Sequence, residues 1–253
     1  MTFFARYELL NVILKDTEDN SETIAAYQDM LTNSVTLQGR TFYRDGTWNT
    51  LCLPFNVDNL NGTPLEGATV KMLVSTAYEA STSTLRLNFS DNLQSLSAGM
   101  PYIVKWEGES DNISNPTFNN VTLSNYTDCV ETDEVTFCGT FSPITLVAND
   151  KTKLYLGAGN KLYYPNGDMN INACRAYFQL NGLTAGEPTS LAKVSNFVVN
   201  FGDGESTGIS LTPSLSTKGK ESRSWYDLQG RQLNGKPATK GMYIKDGRKV
   251  VIK

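Results

Sequence analysis

Apolar side chains recur at every second position through most of this chain, in short runs separated by glycine, proline, asparagine and aspartate. A period of two marks a strand with one buried face. Such runs stand at residues 34–43, 47–55, 68–77, 83–89, 101–106, 118–124, 135–141, 153–156, 161–164, 175–180 and 197–201. Turn pairs such as Asn61-Gly62, Ala98-Gly99 and Asn181-Gly182 separate them. The runs at 34–43 and 47–55 flank Arg44-Asp-Gly46 and read as a hairpin. Residues 7–15 read as a further β-rich run. A single helix is predicted over 19–31, where Asp19 and Glu22 have capping-box spacing and Ile24, Tyr27 and Leu31 share a face.

Many short strands with almost no helix predict an all-β protein, an antiparallel β-sandwich domain with a small C-terminal β-hairpin lobe. The lobe begins near Trp225 and ends flush with the C-terminus, where Val250, Val251 and Ile252 form an apolar run. Asp246-Gly247 lies between two β-rich runs and suits a two-residue turn that needs positive φ. Residues 202–222 are rich in Ser, Thr, Gly and Lys, lack periodicity and read as a linker. The expected order is therefore a strand and short helix (1–32), a sandwich (33–201), a linker (202–222) and a β tail (223–253). Alone, the tail is too small to bury a core, so it is expected to pack on the main domain, a neighbour or a receptor.

With 253 residues, 40% of them hydrophobic and 19% charged, the chain has enough apolar material for a packed core. The net charge of −4 hides a division. From Lys218 onward ten Lys/Arg stand against three acids, +7, whereas the preceding residues carry twelve against twenty-three, −11. An acidic body argues against nucleic acid as a partner, because phosphate binding needs a broad positive face. The basic tail suits an acidic partner or an anionic surface, or simply keeps strand edges soluble. No apolar run approaches the length of a transmembrane helix.

Candidate chemistry is sparse. The chain contains no histidine, which rules out Ser-His-Asp and Cys-His nucleophile arrangements and histidine-bound metal sites. Neither a metal site nor any other cofactor is expected. Of the four cysteines, Cys52 and Cys174 sit in apolar runs and read as core thiols. Cys129 and Cys138 flank a turn and have two readings, a cross-strand bridge or two buried thiols. The acids Glu131, Asp133 and Glu134 cluster on that turn and read as solvated. Asp16, Glu18, Asp19 and Asn20 lack EF-hand spacing, and helix capping suits them better than calcium.

Sugar binding is the more plausible activity. Pyranose rings stack on exposed aromatic faces, and Tyr163 and Tyr164, before Pro165-Asn-Gly167, are the leading candidates, with Trp106 at a strand end second. The competing reading for each is packing, which is favoured outright for Trp48.

Several segments resemble known sequence. The string Arg44-Asp-Gly-Thr-Trp-Asn-Thr-Leu-Cys-Leu-Pro-Phe-Asn-Val57 is similar to a motif in the C-terminal regions of large secreted and surface proteins of Bacteroidota-type bacteria. So are Leu96-Ser-Ala-Gly-Met-Pro-Tyr-Ile-Val-Lys-Trp106, Leu154-Tyr-Leu-Gly-Ala158 and Arg175-Ala-Tyr-Phe-Gln-Leu180. The tail from Tyr226 to Lys253 resembles the C-terminal sorting domains read by the type IX secretion system. The resemblance implies a non-enzymatic secreted or cell-surface protein at the outer membrane. Its tail, through Tyr226, Leu228, Gly230, Gly241, Tyr243 and Gly247, would engage secretion or attachment machinery. Members of such families carry an export signal and the first residues here do not read as one, so the chain is expected to be a truncated gene product or the C-terminal piece of a larger polypeptide. A carbohydrate-binding module and a fimbrial or adhesive subunit are the alternatives.

Overall fold

The computed structural model describes residues 10–108, 111–186 and 193–202, and beyond them the backbone of short strands between 206 and 252. The chain divides into two compact units, Met1–Ser214 and Leu215–Lys253. In chain order the first unit begins with β1 (Asn11–Lys15), helix α1 (Ser21–Ala26), β2 (Ser34–Gln38), β3 (Thr41–Phe42), β4 (Asn49–Cys52), β5 (Ala68–Lys71), β6 (Leu73–Glu79), β7 (Thr84–Phe89) and β8 (Pro101–Trp106). It continues with β9 (Ile113–Ser114), β10 (Thr117–Asn119), β11 (Cys129–Glu131), β12 (Val135–Thr140), β13 (Ile144–Leu146), β14 (Lys153–Gly157), β15 (Lys161–Tyr163), β16 (Met169–Ile171) and β17 (Arg175–Leu180). Last come β18 (Thr184–Ala185), β19 (Lys193–Val194), β20 (Asn196–Asn200) and β21 (Ser206–Ser210).

These strands form an all-β, sandwich-type body with two hydrophobic cores. The first core joins the sheet β1-β2-β10 to the sheet β4-β8-β5. Val12 and Leu14 of β1, Val35 and Leu37 of β2, and Phe118 of β10 meet Val70, Tyr102, Val104 and Trp106 there. The second core joins β21-β20-β7-β6 to β11-β12-β17-β14-β15. Alternate residues of β12 (Val135, Phe137), β17 (Ala176, Phe178, Leu180) and β20 (Phe197, Val199) point into it, as period-two patterning requires. Strand β8 is buried along its whole length. Its Tyr102, Val104 and Trp106 serve the first core and Ile103 the second, so it links the two.

Most pairings are antiparallel, but β1–β2, β7–β20 and β18–β19 run parallel. A parallel pair needs a crossover connection, and for β1–β2 that connection carries α1. The helix is shorter than the 19–31 expected from periodicity. Residues Gln28 and Leu31 are drawn into bridges with Leu123 and Thr122, and Asp29 takes a positive φ, so α1 ends at Ala26. Ile24 is buried as expected, whereas Leu31 is exposed.

The capping box does not form. Asn20 takes the N-cap position without a side-chain cap bond; its amide donates instead to the carbonyls of Lys15, Glu18 and Phe141. Asp19 Oδ1 accepts from Ser142 Oγ at 2.6 Å and from Ser21 N at 2.9 Å. These bonds, with Ser142 the largest contributor, hold the Asp19 carboxyl down at about 2. A depressed carboxylate contributes stability that is present above the ordinary value of 3.8 and is lost as pH falls through about 2. In Ser142→Ala, an NMR carboxyl titration is expected to show Asp19 moving up toward the ordinary value; an unchanged midpoint would refute the assigned cause.

The hairpin expected from 34–43 and 47–55 does not form. The first run changes sheet at Gly39 (φ 84°), so that β2 pairs with β1 and β10 while β3 pairs with β9. Strand β4 pairs with β8. The intervening loop is closed by a side chain: Asn49 Oδ1 accepts from Tyr43 N at 3.1 Å and Asn49 Nδ2 donates to Tyr43 O at 2.9 Å. The run at 68–77 likewise changes sheet, β5 pairing with β8 and β6 with β7. Within the segment read as linker, Ser206–Ser210 is strand β21, paired with β20. Cys129 and Cys138 stand directly opposite on β11 and β12 and form a disulfide, while Cys52 and Cys174 are buried thiols.

The second unit is an antiparallel four-stranded sheet of β22 (Trp225–Tyr226), β23 (Gln232–Leu233), β24 (Gly241–Lys245) and β25 (Arg248–Ile252), in the order β23-β22-β24-β25. Strands β24 and β25 pair with Lys245 opposite Arg248. Among the described residues, no helix is long and apolar enough to cross a membrane.

Candidate functional site

A cleft of about 520 Å³ opens on the first unit where three stretches of chain meet. One wall is the loop from β3 to β4, with Tyr43, Asp45, Thr47 and Trp48. The opposite wall is the end of β14, from Tyr155 to Ala158. The floor comes from the start of β17, with Asn172 and Arg175, and from buried Arg40, while Asn170 of β16 lines the cleft from an exposed position. The size falls within the range of small-molecule sites.

The walls are fastened to each other. Asn160, in the left-handed region at φ 58°, accepts from Trp48 N through Oδ1 at 2.8 Å. A Cβ on Gly157 would lie 2.8 Å from the Tyr163 ring, so glycine there lets the ring rest against the backbone. Trp48 is held from behind by stacking on Phe201, centroids 4.8 Å apart, with the Lys105 ammonium 5.2 Å from its ring. Tyr43 is 53% exposed and lines the cleft.

The floor is charged. Asp16, at the end of β1, accepts from Arg175 Nη1 and, at 3.3 Å, from Nη2. Asn172 Nδ2 donates to the same carboxylate at 2.7 Å. Arg40 is only 4% exposed. Its Nη2 donates to Thr50 O at 2.7 Å, its guanidinium lies 5.6 Å from the Phe42 ring centroid, and its buried Nε has no partner. Burial, followed by the charge of Arg175, brings the Arg40 pKa down to about 9, with Asp16 opposing. Arg40 therefore remains a cation at neutral pH. Close behind the floor, burial pushes the Cys174 thiol up to about 12 and the Cys52 thiol well above its ordinary value. Both remain protonated and unreactive at neutral pH.

The residues singled out for sugar binding are not gathered here. Trp106 is 2% exposed, stacks on Phe42 and donates from Nε1 to Glu66 O at 3.0 Å. It is a core residue, because both faces of β8 are covered, and the expectation of a surface platform is corrected. Tyr163 is half-buried, stacks on its cross-strand partner Tyr155 at 5.8 Å and donates to Ala158 O at 3.2 Å. Tyr164 packs against the second core with the Lys151 ammonium 5.4 Å from its ring. The cleft-lining tyrosine of this strand pair is Tyr155. Trp48 is buried, as the packing reading required, yet it also lines the cleft.

Of the turn acids, Glu131 and Asp133 are exposed, while Glu134 Oε2 accepts from Thr76 Oγ1 at 2.5 Å. In the tail, Tyr226 lies on β22 opposite Ile244, and Gly241 and Tyr243 lie on β24 opposite Ile252 and Val250. Leu228, Gly230 and Gly247 lie outside the described residues.

Sequence reasoning missed Arg40, Tyr43, Tyr155 and Arg175. Each is unremarkable in its own run, and no spacing joins positions so far apart along the chain. Comparison with protein-family models, curated proteins and solved structures finds no match to this chain.

Proposed function

We propose that this is a non-enzymatic secreted or cell-surface β-protein whose C-terminal unit serves as a sorting or attachment module, the accessory region of a larger surface polypeptide. The observation that carries this reading is the compactness of residues 215–253 as a unit of their own, whose described strands form one antiparallel sheet. The Cys129–Cys138 disulfide adds support, since such bonds persist mainly in oxidising compartments.

Deleting residues 241–253 removes β24 and β25, one inner and one edge strand of that sheet. Expressed from its own gene in its own host, the truncated protein is expected to remain in the cell or periplasm. Residues 215–253 fused to an unrelated exported reporter are expected to carry it to the surface. Normal display of the truncated protein, with no display of the fusion, would overturn the sorting role.

The cleft favours a second, compatible reading, in which the first unit binds saccharide. The aromatic and amide side chains that line the cleft are the groups that grip a pyranose, whose C–H face is apolar and whose rim is a ring of hydroxyls.

A further inference from the structure

The floor of the cleft is electrostatically incomplete. Two guanidiniums, Arg40 and Arg175, stand beside one buried carboxylate, Asp16. Arg175 spends its fork on that carboxylate and on Ala173 O. Arg40 has five N–H donors to satisfy, yet its guanidinium makes a single hydrogen bond to the described residues, the one to Thr50 O. Among the described residues, the buried side-chain nitrogens and oxygens that lack a partner are Nε of Arg40 and Nε of Arg44, both in the segment that leads into the cleft wall. A buried donor without an acceptor is costly, and a buried cation without an anion more so. Natural cores seldom tolerate either unless something else fills the gap.

We propose that the cleft takes a saccharide bearing a carboxylate, a uronic-acid sugar, with its acid on Arg40, beside the positive charge of Arg175, and its ring against Tyr43. The assignment rests on the saccharide-binding reading of the first unit. A planar carboxylate matches the guanidinium fork. Arg40 and Arg175 outnumber Asp16 by one positive charge, which Asp45 at the same cleft balances, so a monoanion is the most that the site suits. Asp45 is exposed at the rim and repels a more highly charged ligand such as a phosphate ester. The ring needs an accessible apolar face, which Tyr43 supplies. Asn172 uses Nδ2 on Asp16 and exposed Asn170 uses Oδ1 on Thr145, which leaves Asn172 Oδ1 and Asn170 Nδ2 to meet hydroxyls.

The test uses the full chain and calorimetric titration with galacturonic and glucuronic acid oligosaccharides, their methyl esters, and the neutral galactose and glucose counterparts. The free acids are expected to bind about tenfold more tightly than the esters, the worth of one charge-assisted contact. Arg40→Met is expected to erase that preference. Tyr43→Ala, at an exposed position, is expected to weaken acids and esters alike by about fivefold. The acid–ester comparison on the unaltered protein needs no variant, so a misfolded Arg40→Met leaves the proposal exposed to refutation. Equal binding of acid and ester overturns the carboxylate assignment while the saccharide reading stands. Binding of none of these sugars overturns both. Equally tight binding of polyglutamate, indifferent to Tyr43→Ala, overturns the saccharide class and leaves an acidic peptide as the ligand.

Discussion

Phe178→Ala is expected to destabilise the first unit by about 4 kcal/mol, near the upper end of what truncating one buried side chain costs. Phe178 sits on β17 directly opposite Phe137 of β12, and the two rings stack with centroids 4.3 Å apart and planes 10° from parallel. Both are buried to within 1%. Phe89 approaches Phe137 edge-on at 6.3 Å, so the pair lies where the two sheets of the second core meet. Truncation removes the transfer energy of a benzyl group and leaves a hole that strands pinned by their ladders cannot close. Urea unfolding followed by Trp48 and Trp106 fluorescence, in a Trp225→Phe background that silences the second unit, measures the loss. Against a typical total of about 5–15 kcal/mol, the variant keeps only a narrow margin. A loss under about 1 kcal/mol would mean that the stack is peripheral to the core.

Asp16→Ala is expected to cost about 3 kcal/mol, for a different reason. The carboxylate is 9% exposed and joins β1 to the 172–175 segment through Arg175 and Asn172. Removing it strands the Arg175 guanidinium and withdraws the anion that partly offsets buried Arg40. Breaking a buried pair from one side is far more damaging than removing both partners. The double variant Asp16→Leu with Arg175→Met is accordingly expected to recover part of the loss. The exposed pair Lys15–Glu18, with side chains 50% and 59% accessible, gives the contrast. Glu18→Ala is expected to change stability by no more than about 0.5 kcal/mol, because water already screens those charges. Equal effects at Asp16 and Glu18 would show that burial of the Asp16 carboxylate is immaterial.

The two variants also separate architecture from the site. Phe178 acts through the second core, and its loss is felt across the first unit. Asp16 lies beneath the cleft, and its removal adds to the positive excess on the floor. A destabilised Asp16→Ala protein with a strengthened preference for carboxylated sugar would follow from the same electrostatics that the proposed ligand assignment uses.

The alternation of residues was legible at single-strand scale. Pro101–Trp106 and Arg175–Leu180 run as strands over the bounds expected of them, and Val135, Phe137, Phe178 and Leu180 face inward on the expected period. Partners were much less legible. Residues 47–55 follow 34–43 across a turn signal, yet Leu51 lies opposite Tyr102 and not opposite its sequence neighbours. Trp106 looked available at a strand end and is enclosed by Phe42, Arg44 and the Glu66 carbonyl. The cleft was least legible of all. Arg40 carries no local mark that distinguishes a buried, underbonded guanidinium from a solvated one; only Thr50, Phe42, Asp16 and Arg175 around it do that.

From its residues alone, this protein is determined to be all-β, to have a basic C-terminal region following an acidic body, and to lack every histidine-dependent chemistry. Those properties follow from backbone periodicity and side-chain inventory, which are local or additive along the chain. The tertiary structure alone decided which strands pair, that Cys129 and Cys138 are bridged, and that Arg40, Tyr43, Tyr155 and Arg175 line one cleft. Pairing and burial depend on contacts between residues remote in sequence, where many arrangements satisfy the same alternation and only packing of the whole selects among them.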